Sequence, residues 1–355
     1  MQYAKLGNTG IIVSRLSFGV MTFGSASADD SRGSIWKIAQ DEADRMTHHA
    51  LDAGINFFDT ADMYAAGQSE EMLARALGSR RKDVVISTKI GFRSSDAVAQ
   101  AGASFRYLLQ ATEASLRRLK TDYIDLLSIH KPDPFTPFEE SARALDNLVT
   151  RGLVRYVGYS NFNAWQAAKF LGIQRQYNYS AFVAAQMYYS LVGRDIEHEV
   201  APFCQDAGIG IVVWSPLAGG FLTGRYTRQD PTGGKGRLAT FNLLPHDKEK
   251  GYDLIERMQD IGQRYKASVA QVALAWLLSK SFVTTILVGA SRLSQLEDNL
   301  AASDTLIAAE DLAALDALTE PTPIYPNWFQ KLALDSTASD ALKTGLHPAP
   351  AEVKA

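Results

Sequence analysis

Four side chains in the first part of the chain have the types and spacing to move a proton onto a carbonyl oxygen: Asp59, Tyr64, Lys89 and His130. Asp59 ends the apolar run Ile55-Asn56-Phe57-Phe58, and Tyr64 stands one short polar loop further on. Lys89 directly follows Val85-Ile86-Ser87-Thr88, and His130 follows Leu126-Leu127-Ser128-Ile129. A free phenol, with a pKa of about 10, is a poor acid at neutral pH. A neighbouring ammonium favours the phenolate. A carboxylate orients the ammonium, and an imidazole can hydrogen-bond the reacting oxygen. Such a group suits proton donation to a carbonyl whose carbon is receiving a hydride. It does not suit nucleophilic hydrolysis, because no serine or cysteine is paired with it. His48-His49 lacks the His-Glu-x-x-His spacing of a helical zinc site.

Each residue has a plainer reading when taken alone. Asp59 can cap a helix ahead of a surface tyrosine, Lys89 can form a structural ion pair with Asp59, and His130 can be a satisfied core histidine. Burying a cation or an imidazole at the end of an apolar strand requires a partner, since an unpaired one is costly. Four such residues at corresponding positions make four independent structural accidents a poor explanation.

The elements that must position them follow from the pattern. Residues 2–13 read as a hairpin around Gly7-Asn8-Thr9-Gly10, and Leu16–Gly19 as a short strand. Helical periodicity over 41–53 stops at Gly54. Strands are expected at 55–58, 84–88, 123–129, 154–159, 184–187, 209–214 and 283–288. Helices are expected at 69–77, 106–119, 137–151, 164–171, 195–207, 248–265, 269–278, 293–302 and 311–318. Eight strands alternating with helices imply parallel strands with right-handed crossovers. The expected fold class is α/β, a (β/α)8 TIM barrel. An open dinucleotide-binding sheet would want Gly-x-Gly-x-x-Gly after its first strand, and Gly19-Val20-Met21 is not that turn. Two segments escape the repeat: a long loop after the seventh barrel strand, 215–247, and a C-terminal tail from about 320. The expected division is one domain over 1–330 followed by a partly flexible tail.

Composition fits this picture. Of 355 residues, 46% are hydrophobic and 21% charged, enough for a large core. A net charge of −3 with scattered cations gives no footprint for nucleic acid or an anionic membrane. The single cysteine, Cys204, forms no intrachain disulfide and suits a reducing compartment. No signal segment or membrane-length apolar run is read, so a soluble protein of the cytoplasm is expected.

The chain resembles the aldo-keto reductase superfamily from about residue 1 to 330. The resemblance rests on Gly54-Ile55-Asn56-Phe57-Phe58-Asp59-Thr60-Ala61-Asp62-Met63-Tyr64 with Ser69-Glu70, on Ser87-Thr88-Lys89, and on Ser115-Leu116-Arg117-Arg118-Leu119. It continues through Asp122-Tyr123-Ile124-Asp125-Leu126, His130 with Asp133-Pro134, and Gly158-Tyr159-Ser160-Asn161-Phe162. Further along come Ser215-Pro216-Leu217, Leu222-Thr223-Gly224 and Gly289-Ala290-Ser291-Arg292, leading to Gln295-Leu296-Glu297-Asp298-Asn299. The resemblance implies a barrel closed below by its N-terminal hairpin. It implies reduction of aldehydes or ketones by NAD(P)H, usually NADPH, without metal or flavin. By motif position Tyr64 is the general acid, Lys89 and Asp59 set its acidity, and His130 orients the carbonyl.

For the cofactor, the resemblance implies Ser160, Asn161 and Gln186 on the nicotinamide carboxamide and Trp214 stacked on its ring. Gly19, Val20 and Met21 would adjoin it. Ser215, Pro216 and Leu217, with Arg225 and Arg237, would line the pyrophosphate. Gly289, Ser291, Arg292, Gln295, Asp298 and Asn299 would hold the adenosine end, with Ser291 and Arg292 near a 2′-phosphate. Arginine's forked donors suit phosphate, which favours NADPH over NADH. Trp36, Phe92, Tyr325, Trp328 and Phe329 are expected pocket walls for an apolar or bulky carbonyl compound. Lys131 stands where similar proteins often carry arginine, and Tyr107 where a histidine is common. Some relatives are regulatory subunits of potassium channels, so a cofactor-binding regulatory subunit is the alternative. The small-molecule substrate and the oligomeric state are not named by the sequence.

Overall fold

The computed structural model describes residues 1–25, 35, 37–233, 238, 244–245 and 247–332. A two-stranded antiparallel hairpin, β1 (Tyr3–Lys5) and β2 (Ile12–Ser14), comes first. Eight parallel strands follow: β3 (Leu16–Gly19), β4 (Phe57–Asp59), β5 (Val85–Ile90), β6 (Ile124–Ile129), β7 (Val154–Ser160), β8 (Phe182–Tyr188), β9 (Gly210–Trp214) and β10 (Val283–Val288). They close into a barrel in sequence order, with β10 pairing back onto β3 through Ile286–Leu16 and Val288–Phe18. Both the (β/α)8 barrel and the N-terminal hairpin read from the sequence are present.

Helices α1 (Gln40–Asp52), α2 (Gln68–Leu77), α3 (Phe105–Leu119), α4 (Phe138–Thr150), α5 (Ala164–Gln176), α6 (Val200–Ala207), α7 (Lys248–Tyr265), α8 (Val269–Leu278), α9 (Leu293–Leu300) and α10 (Ala309–Leu318) accompany the strands. The large core lies between strands and helices; Leu108, Leu116 and Leu119 of α3 and Leu145 and Leu148 of α4 belong to it. Fully burying one such leucine contributes about 1.5–3 kcal/mol. Contact density separates Met1–Glu320 from a second unit, Pro321–Ala355. Within that second unit, α11 (Asn327–Leu332) brings Tyr325, Trp328 and Phe329 ring to ring.

Local differences from the expected boundaries have physical causes. The single helix expected over 195–207 is a 3-10 turn, Asp195–Glu197, followed by α6. Pro202 explains the break: it lacks an N–H and its ring opposes the carbonyl four residues back, so a helix can begin only within one turn before it. Conversely, α5 runs past Gly172 to Gln176 because Ile173 and Gln174 are buried. The Gln174 amide also donates to Ser180 O at 2.8 Å and accepts from Phe182 N at 3.1 Å.

The hairpin plugs the end where the barrel strands begin. Asn56, just before β4, accepts from Ser14 N at 2.8 Å and donates to Ile12 O at 2.9 Å. At the hairpin turn, Gly7 has φ +57°, and a Cβ there would lie 2.6 Å from Val183 O and 2.7 Å from Gly208 O. Glycine is therefore required at that position by both the backbone conformation and the contact. The opposite end, where the strands finish, is left for the loops. Among the described residues no helix is long and apolar enough to cross a membrane.

Candidate active site

Side chains on a strand alternate between the two faces of the sheet, here the inside and outside of the barrel. Phe57, Leu126, Ala184, Val212 and Leu287, with Leu6 and Val13 of the hairpin, make a separate inner cluster. Two residues further along the same strands come Asp59, Ser128, Gln186, Trp214 and Gly289. On β4, β6 and β8 the inner wall thus changes from apolar to polar within one residue pair. Lys89 lies within β5, not after it as the sequence reading had it, because the strand continues to Ile90. His130 follows β6, and Tyr64 opens a 3-10 turn, Tyr64–Gly67, between β4 and α2.

Asp59 and Lys89 form an ion pair of 2.5 Å with the lysine fully buried and the aspartate 3% exposed. Lys89 Nζ also donates to Thr60 O at 2.6 Å. The other carboxylate oxygen, Asp59 Oδ1, accepts from Ser87 Oγ at 3.0 Å and from Gln186 Nε2 at 2.8 Å. Both oxygens are satisfied, as a buried carboxylate requires. Burial pushes the lysine toward its neutral form, but Asp59 and then Tyr64 outweigh it, so Lys89 titrates above the ordinary lysine value. Its ammonium lies 5.1 Å from the centroid of the Tyr64 ring, with a hydrogen bond to that residue.

His130 stands edge-on to Tyr64, ring centroids 6.0 Å apart, and edge-on to Phe92 at 4.7 Å. Burial, together with the charges of Lys89 and Lys131, holds its pKa well below the ordinary histidine value. The imidazole is therefore neutral near pH 7 and carries one ring N–H. Nδ1 has no hydrogen-bond partner among the described residues. A charged lysine, a phenol beside it and a neutral imidazole facing the phenol can together protonate and hold an oxygen that is gaining negative charge.

A continuous hydrogen-bonded chain extends from this group across the barrel mouth. Trp214 Nε1 donates to Asn161 Oδ1 at 3.1 Å, and Asn161 Nδ2 donates to His130 O at 3.0 Å and Ser160 Oγ at 2.9 Å. Ser160 Oγ donates to Gln186 O at 2.7 Å, and Gln186 reaches Asp59. Asn161 has φ +61°, which asparagine tolerates better than most residues. Amide and hydroxyl groups gathered beside an indole fit a ring that carries a carboxamide.

The remaining described residues marked for a dinucleotide follow the ends of β3, β9 and β10 in the chain. Gly19 ends β3, and Val20 N donates to Asp59 O at 2.9 Å, with Met21 next in the chain. Thr22 Oγ1 donates to Ala290 O at 2.8 Å, joining the loops after β3 and β10. Ser215 has φ +51° and opens the turn that continues through Pro216 and Leu217. Arg225 is exposed, and so is Arg292, the residue preceding α9. Neither is paired with a carboxylate among the described residues, a donor set that suits phosphate. Ser291 N and Oγ both donate to Gln295 Oε1 at 3.0 Å, and Asn299 Nδ2 to Gly289 O at 3.4 Å. Asp298 is turned elsewhere: its carboxylate takes Ser268 Oγ at 2.9 Å and Gln271 Nε2 at 2.7 Å, fastening the start of α8. Trp36 and Arg237 lie outside the described residues.

Several contributors escaped the sequence reading. Ser87 and the Thr60 carbonyl complete the shell of Asp59 and Lys89. Gln186, marked only for a carboxamide, also fixes Asp59. Strand period was the available signal for Ser87, which shares an inward face with Lys89 two residues on. Tyr188, packed 5.2 Å from Trp214, follows Gln186 on β8 by the same rule.

Comparison with known proteins agrees with this geometry. The family model described as "Aldo/keto reductase family" matches residues 15–320. The chain is 33% identical to the versiconal hemiacetal acetate reductase of Aspergillus parasiticus over 352 residues, covering 92% of this chain and 99% of that one. It is 35% identical over 315 residues to an Arabidopsis thaliana protein named "Probable voltage-gated potassium channel subunit beta", with 86% and 92% covered. To an aldo-keto reductase of Fusarium vanettenii it is 31% identical over 349 residues, with 91% and 92% covered. A closed eight-stranded parallel barrel, a lysine–aspartate pair at its mouth and a family match over most of the chain lead to one conclusion: the chain belongs to the aldo/keto reductase family.

Proposed function

We propose that the protein reduces an aldehyde or ketone to the alcohol with NADPH, used in preference to NADH, and that Tyr64 is the proton donor. The observation that carries this reading is Lys89, an ammonium buried completely, held 2.5 Å from Asp59 and 5.1 Å from the Tyr64 ring. When bound, the reduced nicotinamide supplies the hydride to the carbonyl carbon. Tyr64 gives its proton to the carbonyl oxygen, and the Lys89 charge stabilises the phenolate that remains. Asp59 keeps Lys89 charged and aimed. His130, being neutral, offers an N–H to the same oxygen without competing as an acid. In the direction of alcohol oxidation the same residues act in reverse.

Ser160, Asn161 and Gln186 hold the carboxamide in this reading, and Trp214 covers one face of the ring beside Gly19, Val20 and Met21. Ser215, Pro216, Leu217 and Arg225 hold the pyrophosphate, a role also assigned to Arg237. Gly289, Ser291, Arg292, Gln295 and Asn299 hold the adenosine end, and Arg292 takes the 2′-phosphate. Asp298 supports that segment from behind through α8. Phe92, edge-on to His130, favours an apolar or bulky carbonyl compound; Trp36, Tyr325, Trp328 and Phe329 are the other proposed walls.

The test is Tyr64→Phe, assayed by NADPH absorbance with a panel of aldehydes, quinones and polycyclic ketones, and by NADPH fluorescence for binding. Turnover is lost and binding survives; turnover near the wild-type rate would end the assignment. The similarity to a named potassium channel subunit supports a second reading, a cofactor-binding regulatory subunit. Negligible turnover across the panel together with stable co-purification with a membrane protein would favour it.

A further inference from the structure

Beside the proton-donor group lies a second set of buried polar side chains that the chemistry above does not use. Strand alternation turns Thr88 to the outside of the barrel, opposite in direction to Lys89. There Thr88 Oγ1 donates to Glu70 Oε1 at 2.6 Å, and Arg118 Nε donates to Glu70 Oε2 at 2.6 Å. Glu70 has no exposed surface. Arg118 reaches it across Gly67, where a Cβ would lie 2.6 Å from Arg118 Cδ. Each cation of this region therefore has its own carboxylate: Lys89 has Asp59, and Arg118 has Glu70.

Asp62 is the fifth ionisable group and has no cation of its own. It sits on the loop between Asp59 and Tyr64, and its N–H donates to Lys89 O at 3.0 Å, so the two residues are tied through their backbones. The side chain is 7% exposed, and its Oδ1 has no hydrogen-bond partner among the described residues. The groups facing it are Glu70 on α2, Lys89 on β5, and Arg118 and Tyr107 on α3. A buried carboxylate with one oxygen unpartnered, beside a second carboxylate, is costly in its charged form. Burial first, and Glu70 second, push the Asp62 carboxyl up to about 7, against the pull of Arg118, a backbone hydrogen bond from Met63 and Lys89.

We infer that Asp62 is a positioning residue for the proton donor: while neutral it leaves the Lys89 charge shared between Asp59 and Tyr64 alone, and once ionised it opposes the charge developing on Tyr64 and slows carbonyl reduction. Negative charge grows on the Tyr64 oxygen as the proton leaves. A buried carboxylate two residues from Tyr64, tied through its backbone to Lys89, repels that charge with less screening than bulk water gives. The inference rests on the reading of Tyr64 as donor.

Two measurements test it. The first is kcat/KM for reduction of benzaldehyde by NADPH between about pH 5 and about pH 9, for wild type and Asp62→Asn. The wild type falls roughly tenfold through neutrality, while Asp62→Asn stays at the rate of the acid limb and falls only at higher pH. The second is a titration of the protein labelled with carboxyl-13C aspartate, followed by NMR. One carboxyl resonance moves with a midpoint near about 7, and it is missing from Asp62→Asn. If Asp62→Asn does not fold, Asp62→Ser carries the same expectations and assigns the resonance. An unchanged inflection in the variant, an equal loss of rate at every pH, or no aspartate titrating above about pH 5 overturns the inference. These failures remain separate from failure of the underlying reading, which is decided by Tyr64→Phe alone.

Discussion

Replacing Lys89 with methionine tests both the fold and the chemistry, because the two roles of the residue have different signatures. Methionine matches the length of the stem and removes the ammonium, so little cavity is left. What remains is Asp59, 3% exposed, with hydrogen bonds from Ser87 and Gln186 but no opposite charge. Breaking a buried pair in this way costs about 3–5 kcal/mol. Urea denaturation at pH 7 reads this cost as a lowered midpoint at unchanged slope. The wild-type lysine titrates above its ordinary value. Its stabilising effect is therefore fully present below the unfolded pKa of about 10.4 and is lost only as pH rises through the higher folded value. Adding Asp59→Asn to Lys89→Met removes the stranded charge and keeps an acceptor for Ser87 and Gln186. The double variant is therefore more stable than Lys89→Met alone, and turnover stays down by about 100- to 1,000-fold or more. A Lys89→Met protein within about 1 kcal/mol of wild type, or a double variant no better than the single, would refute the reasoning that Asp59 is held as a charged partner.

Three further outcomes follow from the same structure. Arg118→Met strands the buried Glu70 carboxylate and costs about 3 kcal/mol in urea; no change would mean that Glu70 does not depend on the pair. Arg292→Ala weakens NADPH by roughly 10- to 100-fold with NADH little affected, and an equal effect on both cofactors would remove the proposed 2′-phosphate contact. Asp62 has a folded-state pKa raised to about 7. The folded state therefore holds its proton where the unfolded chain has released it, and the wild type loses stability as pH rises from about 4 to about 7. Asp62→Asn matches wild type in acid and exceeds it by a few kcal/mol above neutrality, measured as melting temperature against pH.

The barrel and the meeting of Asp59, Lys89 and His130 at its mouth were legible because one rule produced both. Phe57 and Asp59 share an inward face, as do Ser87 and Lys89, and Ser128 and His130. An apolar strand that ends in a charge at matching parity shows where the pocket begins. Asp62, Glu70 and Arg118 stayed hidden, since they meet through three separate segments and through Thr88, which points away from the pocket. No local pattern reports such a meeting. Asp298 carries a contact that its motif position did not report: its carboxylate fastens the start of α8. Boundaries slipped where tertiary contacts overrode a local signal, as at Gly172, or where a proline limited how early a helix could start, as at Pro202.

The junction of β3 with β10 has a consequence for how the chain acquires its shape. Arg15 Nη2 donates to Leu278 O at 2.8 Å, Thr285 Oγ1 to Ser14 O at 2.7 Å, and Ser17 bonds Thr285, so segments about 270 residues apart form the last seam. Asp59, Tyr64, Lys89 and His130 have all been synthesised by residue 130. Gln186, which braces Asp59, and the strand that seals the ring emerge much later. Contacts of such long range are slow to form and leave strand edges uncovered in the meantime. A nascent chain stopped between residues 130 and 288 therefore carries Asp59, Tyr64, Lys89 and His130 on an open, aggregation-prone sheet.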